Sequence, residues 1–177
     1  FCPSAINLAI QKPSYSKRKW YSEPDIPHVK HVRFHTRTPV IIASRMTSTL
    51  LSHLKSTRLK VWFVIHSNHA NELDGEVLAS LSKLQQIGIP VLNQAVLLRR
   101  VNDNEDALYA LCKRLIDAQI TPYYLHQLDE VAGAAHFYVS PDRGRELISA
   151  IRKRLPGYAV PRYVKEIAGE QSKTVLA

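Results

Sequence analysis

The stretch LKVWFVIHSNHANELDGEVLASLSKLQQIGIPVLNQAVLL, residues 59–98, contains a strand, a helix and a second strand in succession. Residues 59–65 form a short run of apolar and aromatic side chains, the composition of a buried strand. Beyond it Leu73, Val77, Leu81 and Leu84 recur three or four residues apart, which predicts an amphipathic helix ended by Gly88. Residues 89–98 return to an apolar run interrupted by Asn93 and Gln94. Two strands joined through a helix are the repeating unit of a parallel sheet.

The same rhythm extends in both directions. HVRF (31–34) reads as a strand and SRMTSTLLSHLKS (44–56) as a helix. After the central unit, DNEDALYALCKRLIDAQ (103–119) places Leu108, Leu111 and Leu115 on one helical face, and TPYYLHQL (121–128) reads as a fourth strand. SPDRGRELISAIRKRL (140–155) is another helix, with Ser140 as N-cap and Pro141 at its first position. Strand starts recur about every thirty residues, the length of a βα unit. The fold class is therefore α/β, with repeated βα units and helices packed outside a parallel sheet. Four units are too few for a complete eight-fold barrel, and a doubly wound sheet or a segment of a larger barrel both fit. No G-x-G-x-x-G follows any of these strands, which disfavours a dinucleotide fold.

Length and composition bound the function. The 177 residues suffice for one ordinary domain, and no apolar run approaches membrane-spanning length. The absence of an initiator Met reads as a processed product or a fragment, and no basic segment precedes the first apolar run as a signal peptide requires. Cys2 and Cys112 fit no metal spacing and no disulfide framework, which points to a cytoplasmic location. Cys112 falls at an apolar helical position and reads as a buried structural thiol. The net charge of +9 is concentrated early, with Tyr15, Trp20 and Tyr21 interleaved among lysines and arginines. Nucleic-acid binding through residues 12–37 is one reading, disfavoured because no recognised binding motif accompanies it. An anionic cofactor or an acidic protein partner accounts for the same sign of charge.

The polar residues that break the pattern fall at strand ends. His35 and Arg37 follow the first strand, His66, Asn68 and His69 the second, and His126, Gln127 and Asp129 the fourth, while Asn93 and Gln94 interrupt the third. Parallel α/β folds place their chemistry at the carboxyl edge of the sheet, so these clusters predict one shared site. His66, His69 and Glu72 have the residue types of a metal cluster but not the H-E-x-x-H order, and Asn68 and Asn71 read as turn and N-cap residues of a helix beginning near Glu72.

Six segments carry a resemblance: RTPVIIASRMT (37–47), FVIHSNHANE (63–72), GIPVLNQAVLLRRVNDN (88–104), PYYLHQLDEVAGAAHF (122–137), GYAVPRY (157–163) and GEQSKT (169–174). In this order they resemble the lysine 2,3-aminomutases, radical S-adenosylmethionine enzymes that also use pyridoxal phosphate. PYYLHQLDEVAGAAHF is most similar to the branch that makes β-lysine for elongation factor P. The resemblance implies a partial (β/α) barrel of radical S-adenosylmethionine type, of which this chain is the C-terminal part. It makes Lys173 the lysine that carries pyridoxal phosphate, with Gly169 and Ser172 as small neighbours. Asp129 and Glu166 match the two acids that hold the substrate's distant ammonium, although the second is usually Asp. His66 and Gln94 match positions that contact S-adenosylmethionine, with Asn93 beside them, and His126 lines the same pocket.

The family's [4Fe–4S] cluster requires a C-x-x-x-C-x-x-C run that this chain lacks, since clusters of this kind are held by thiolates. The glycine-rich segment expected before HVRFHTR is also missing, and the first residues do not resemble the family. The expected organisation is a divergent basic segment over 1–28, a partial βα barrel over 29–157, and a C-terminal segment over 158–177 that holds the pyridoxal phosphate lysine. The resemblance implies an isomerase of free lysine in the elongation factor P modification pathway, homo-oligomeric as its relatives usually are. The alternatives are an inert module that keeps a pyridoxal phosphate or nucleotide pocket, or a 2,3-aminomutase of another amino acid.

Overall fold

The computed structural model describes residues 5–9 and 28–177. The basic and aromatic residues 12–27 and Cys2 lie outside them, and with them most of the segment read for nucleic-acid binding. The described elements are β1 (Ala5–Ala9), β2 (His31–Thr36), α1 (Thr38–Ile41), α2 (Ser48–Ser56), β3 (Lys60–His66), α3 (Gly75–Gln86), β4 (Val91–Val96), α4 (Glu105–Asp117), β5 (Thr121–His126), α5 (Pro141–Arg152), β6 (Arg162–Lys165) and β7 (Thr174–Val175).

Each longer helix starts on a side-chain cap that takes one of its unpaired amides. Thr47 accepts from the Leu50 amide at 3.2 Å, Asp74 from Val77 at 2.9 Å, Asn104 from Ala107 at 2.9 Å, and Ser140 from Arg143 at 3.3 Å. The cap expected at Asn68 or Asn71 is therefore Asp74, and α3 begins at Gly75. The reason is Glu72, whose Oε1 accepts from the amides of Asn68 at 2.7 Å and His69 at 3.0 Å. That closes a separate 3-10 turn, Ala70–Glu72, capped by His69. Leu73 is fully buried, but it packs from the link before α3.

One sheet runs in the order β1-β2-β3-β4-β5-β6-β7. The first five pairings are parallel and β6–β7 is antiparallel. Each new strand is added on the same side of the last, with no reversal among the described strands. Right-handed crossovers stepping one way collect the helices on one face. A doubly wound sheet, which needs a reversal, is thereby ruled out for these strands. Segment 158–177 supplies β6 and β7 of the same sheet.

Alternation along the strands separates the two faces. Val32, Phe63, Ile65, Val91, Leu125 and Tyr163 join the helical Val77, Leu81, Leu108, Leu111, Leu115 and Leu147 in one core. Cys112 lies in this core as expected, and burial pushes its thiol up to about 12. Val64 and Val164 are just as buried, yet they belong to the other face, which carries no helix among the described residues. Among the described residues no helix is long and apolar enough to cross a membrane.

Candidate active site

The open face is read from the strand register, because directly paired residues point the same way. His66 pairs with Gln94, Gln94 with Tyr124, and Tyr124 with Arg162. In the next row Val96 pairs with His126 and His126 with Val164. His35 pairs with Val64, one step nearer the strand starts. A bulge in β5 makes this possible: Asn93 pairs with Pro122 but Gln94 with Tyr124, so Tyr123 is the extra residue. Without that insertion Tyr124 and His126 would point into the helix-facing core.

The chain then turns back to bring Lys173 over the sheet. Gly169 takes a left-handed φ of 89° in this reversal, and β7 pairs with β6. The Lys173 ammonium lies 5.8 Å from the centre of the Tyr124 ring and donates to the Glu166 carboxylate. A cleft of about 380 Å³ opens at the carboxyl edge, lined among others by Arg37, His66, Gln94, His126, Asp129 and Glu166.

Electrostatics ties these groups together. Burial is the main cause holding the Lys173 amine below its ordinary value, helped by Arg33 and opposed by Asp129. Burial likewise lowers His35, with Arg33, His66 and Lys173 adding to the effect, and lowers His66, with Arg37 adding. His126 falls to about 4, through burial first and then Lys173, with Asp129 opposing and His66 and His35 contributing. Groups on β2, β3 and β5 and in the C-terminal segment thus lie within one another's electrostatic reach across the face.

The expected site residues divide by face. His66, Gln94, His126, Asp129, Glu166 and Lys173 converge on the open face and its cleft. The Gln94 Nε2 lies 2.9 Å from the His66 Nε2. Asn93 does not join them: it points into the helix side, where its amide accepts from the Ser67 N–H at 2.9 Å and donates to the Ser67 carbonyl at 3.0 Å. Gln127 is also on the helix side, accepting from the Tyr163 hydroxyl and donating to the Val139 carbonyl at 2.9 Å. Alternate residues of a strand face opposite ways, so adjacent polar residues could not all share one site.

The HSNHANE segment is likewise divided. His69 Nδ1 accepts from the Asn71 amide at 3.2 Å, and Glu72 Oε2 accepts from Arg37 at 2.6 Å. Sequence reasoning missed Arg33 and Arg162, which sit below the strand ends, and the fully buried Asn102, which donates to the carbonyls of Asn68 and Val96 at 2.9 Å each. A polar residue in an otherwise ordinary loop gives no signal of such a tie.

No family model matches the chain. It is similar to the L-lysine 2,3-aminomutase of Escherichia coli (strain K12), at 46% identity over 151 residues, 85% of this chain and 44% of that protein. The L-lysine 2,3-aminomutase of Buchnera aphidicola subsp. Baizongia pistaciae is 44% identical over 152 residues, covering 86% and 45%. That of Clostridium subterminale is 38% identical over 150 residues, covering 85% and 36%. The chain therefore spans less than half the length of these curated relatives. Among solved structures it is similar in fold to a radical SAM methyltransferase from Sphaerobacter thermophilus, with a TM-score of 0.52, 19% identity, and coverage of 75% of this chain and 40% of that one. A domain of pyruvate-formate lyase-activating enzyme from Bacteroides vulgatus gives a TM-score of 0.51, 10% identity, and coverage of 77% and 81%.

Proposed function

We propose that this chain is the pocket-bearing, C-terminal portion of a lysine 2,3-aminomutase, a partial (β/α) barrel that binds pyridoxal phosphate at Lys173 and does not turn over alone. The observation that carries the reading is the meeting of a desolvated lysine with two carboxylates beside one cleft. Lys173 contacts Glu166 and is acted on by Asp129, and both acids line the cleft. The similarity over 85% of the chain to proteins of that name supports the same assignment.

The residues present fit pyridoxal phosphate. An amine that must attack an aldehyde has to lose its proton, and partial burial of Lys173 favours the neutral form. The buried His126 Nε2 has no hydrogen-bond partner among the described residues, which leaves a polar group for a bound ligand to satisfy. When bound, the cofactor supplies the electron sink that stabilises a substrate-centred radical. Lys173 would hold it, and Tyr124 beneath the ammonium gives a flat surface for an aromatic ring. Asp129 and Glu166 would hold the distant ammonium of a lysine substrate, a charge costly to bury unpaired. His66 and Gln94 would contact S-adenosylmethionine, with Asn93 positioning the adjoining Ser67 loop from behind.

The residues do not fit a [4Fe–4S] cluster. The sequence holds two cysteines, and Cys112 is buried in the core. Cluster ligation needs thiolates, so this chain alone does not supply them. This favours the reading in which the chain retains the pocket and the radical originates on residues outside it. Elongation factor P as the destination of the product rests on resemblance around PYYLHQLDEVAGAAHF.

Borohydride reduction in the presence of pyridoxal phosphate should fix a pyridoxyl group on Lys173, read by peptide mass spectrometry, and Lys173→Ala should abolish it. Labelling spread over surface lysines, unchanged in Lys173→Ala, would refute the assignment. The isolated chain should form no β-lysine when cluster precursors and reductant are supplied.

A further inference from the structure

The edge of the sheet opposite the candidate active site holds a second cavity, of about 360 Å³. It lies between the α2–β3 and α3–β4 links, where α2 ends at Ser56, β3 starts at Lys60, α3 ends at Gln86 and β4 starts at Val91. The Phe63 N–H donates to the Pro90 carbonyl at 3.0 Å and joins β3 to the second link. The lining combines aliphatic side chains with cations. Leu54, Val61 and Ile89 are buried and Ile87 is half-buried, while Lys55 and Lys60 are exposed. Lys30 adjoins them, since its carbonyl accepts from the Lys60 N–H at 2.9 Å. No ion pair among the described residues includes any of these three lysines. The surplus of cations begins in the sequence: residues 28–71 hold seven lysines and arginines and no aspartate or glutamate. Lysines in the last turn of a helix ordinarily complement its carbonyl end, which accounts for Lys55 on α2 and Lys83 on α3. Lys30 and Lys60 lie outside the helices, so their charge exceeds that role.

Cations at the rim of an aliphatic groove suit a segment that carries carboxylates beside an apolar side chain. Each charge then gains a partner while the apolar group leaves water. A second copy of this chain, at net charge +9, would instead bring like charges together. A nucleic acid would meet the lysines through its phosphates but bring no aliphatic group to the groove. We propose that this amino-edge groove is a docking surface for an acidic peptide segment of a partner protein. An apolar side chain of that segment fills the groove between the ends of α2 and α3, and its carboxylates meet Lys55 and Lys60, with Lys30 adding to the positive field. The groove shares no lining residue with the cleft at the carboxyl edge, and the proposal does not rest on the function proposed above.

The test is fluorescence anisotropy of a labelled synthetic peptide of alternating glutamate and leucine, titrated with the intact chain. Binding should be saturable and should weaken as ionic strength rises. A Lys55→Glu/Lys60→Glu variant should bind at least about tenfold more weakly, with its urea midpoint close to that of the parent as evidence of folding. On the parent chain, a peptide of alternating glutamate and serine should also bind at least about tenfold more weakly, because it has the charge without the apolar anchor. Absence of saturable binding overturns the proposal, as does equal binding by the charge-reversed variant or by the serine peptide. Binding lost in Lys173→Ala but kept in Lys55→Glu/Lys60→Glu would place the peptide in the cleft and overturn it too. A single-stranded oligothymidylate that binds more tightly than the leucine peptide, and loses as much in the charge-reversed variant, would make the surface one for nucleic acid instead.

Discussion

Lys173 illustrates how one residue's reactivity depends on the few charges around it. Its amine is held below the ordinary lysine value by burial and Arg33, against the pull of Asp129. The signs give a two-sided prediction for reductive labelling by pyridoxal phosphate as a function of pH. Asp129→Asn should move the profile to lower pH, because a stabilising carboxylate is lost, and Arg33→Gln should move it to higher pH. Shifts in the same direction would show that the profile does not report Lys173. Glu166→Gln, which removes the carboxylate touching the ammonium, should act as Asp129→Asn does. His126 gives a second prediction. Its folded value of about 4 lies below the unfolded 6.5, so between these pH values the unfolded chain binds more protons. The contribution is complete above about pH 6.5 and is lost as pH falls towards 4. Urea denaturation should therefore show a steeper acid loss of stability in the parent than in His126→Gln.

At the scale of elements, polar anchors behind the sheet determine what its front presents. The carboxyl end of β3 is tied to β4 by Asn93, which satisfies both backbone groups of the fully buried Ser67. Asn93→Ala leaves a donor and an acceptor unpaired, at about 1–3 kcal/mol for each buried group. A loss of about 2–6 kcal/mol in urea denaturation is expected, whatever the state of the cleft. The corresponding anchor for β5 and β6 is Tyr163, which packs on α5 where Gly144 leaves room. A Cβ at Gly144 would lie 2.3 Å from the Tyr163 Cζ and hydroxyl oxygen. Gly144→Ala should therefore destabilise by about 1–3 kcal/mol through overpacking, although alanine is the better helix former by about 1 kcal/mol. A stabilised Gly144→Ala chain would mean that Tyr163 moves without cost.

For the whole molecule, a ligand that binds the folded face and not the unfolded chain must raise stability. At a hundredfold excess over its dissociation constant, pyridoxal phosphate should add about 2.7 kcal/mol, roughly 5–10 °C in Tm for a chain of this size. Lys173→Ala should lose most of that rise in differential scanning fluorimetry. The strand-helix succession was readable because periodicity is local: Val77, Leu81 and Leu84 do lie on one face of a helix that runs from Gly75 to Gln86, while Leu73 packs from the link before it. The clustering of His66, Gln94, His126 and Lys173 was legible through strand ends and family motifs. The separation of Asn93 from Gln94 was not, nor was the bulge at Tyr123, because both depend on which face each residue takes once strands pair. By itself the sequence determined the order of the elements, the cap at Ser140, and the residue types available for chemistry, since propensity, capping and periodicity act within a few residues. Only the tertiary structure decided that each described strand is added on one side, that one face is free of helices among the described residues, and that β7 folds back to set Lys173 over it. Those outcomes depend on strand register, crossover hand and long-range burial, which no short stretch of sequence contains.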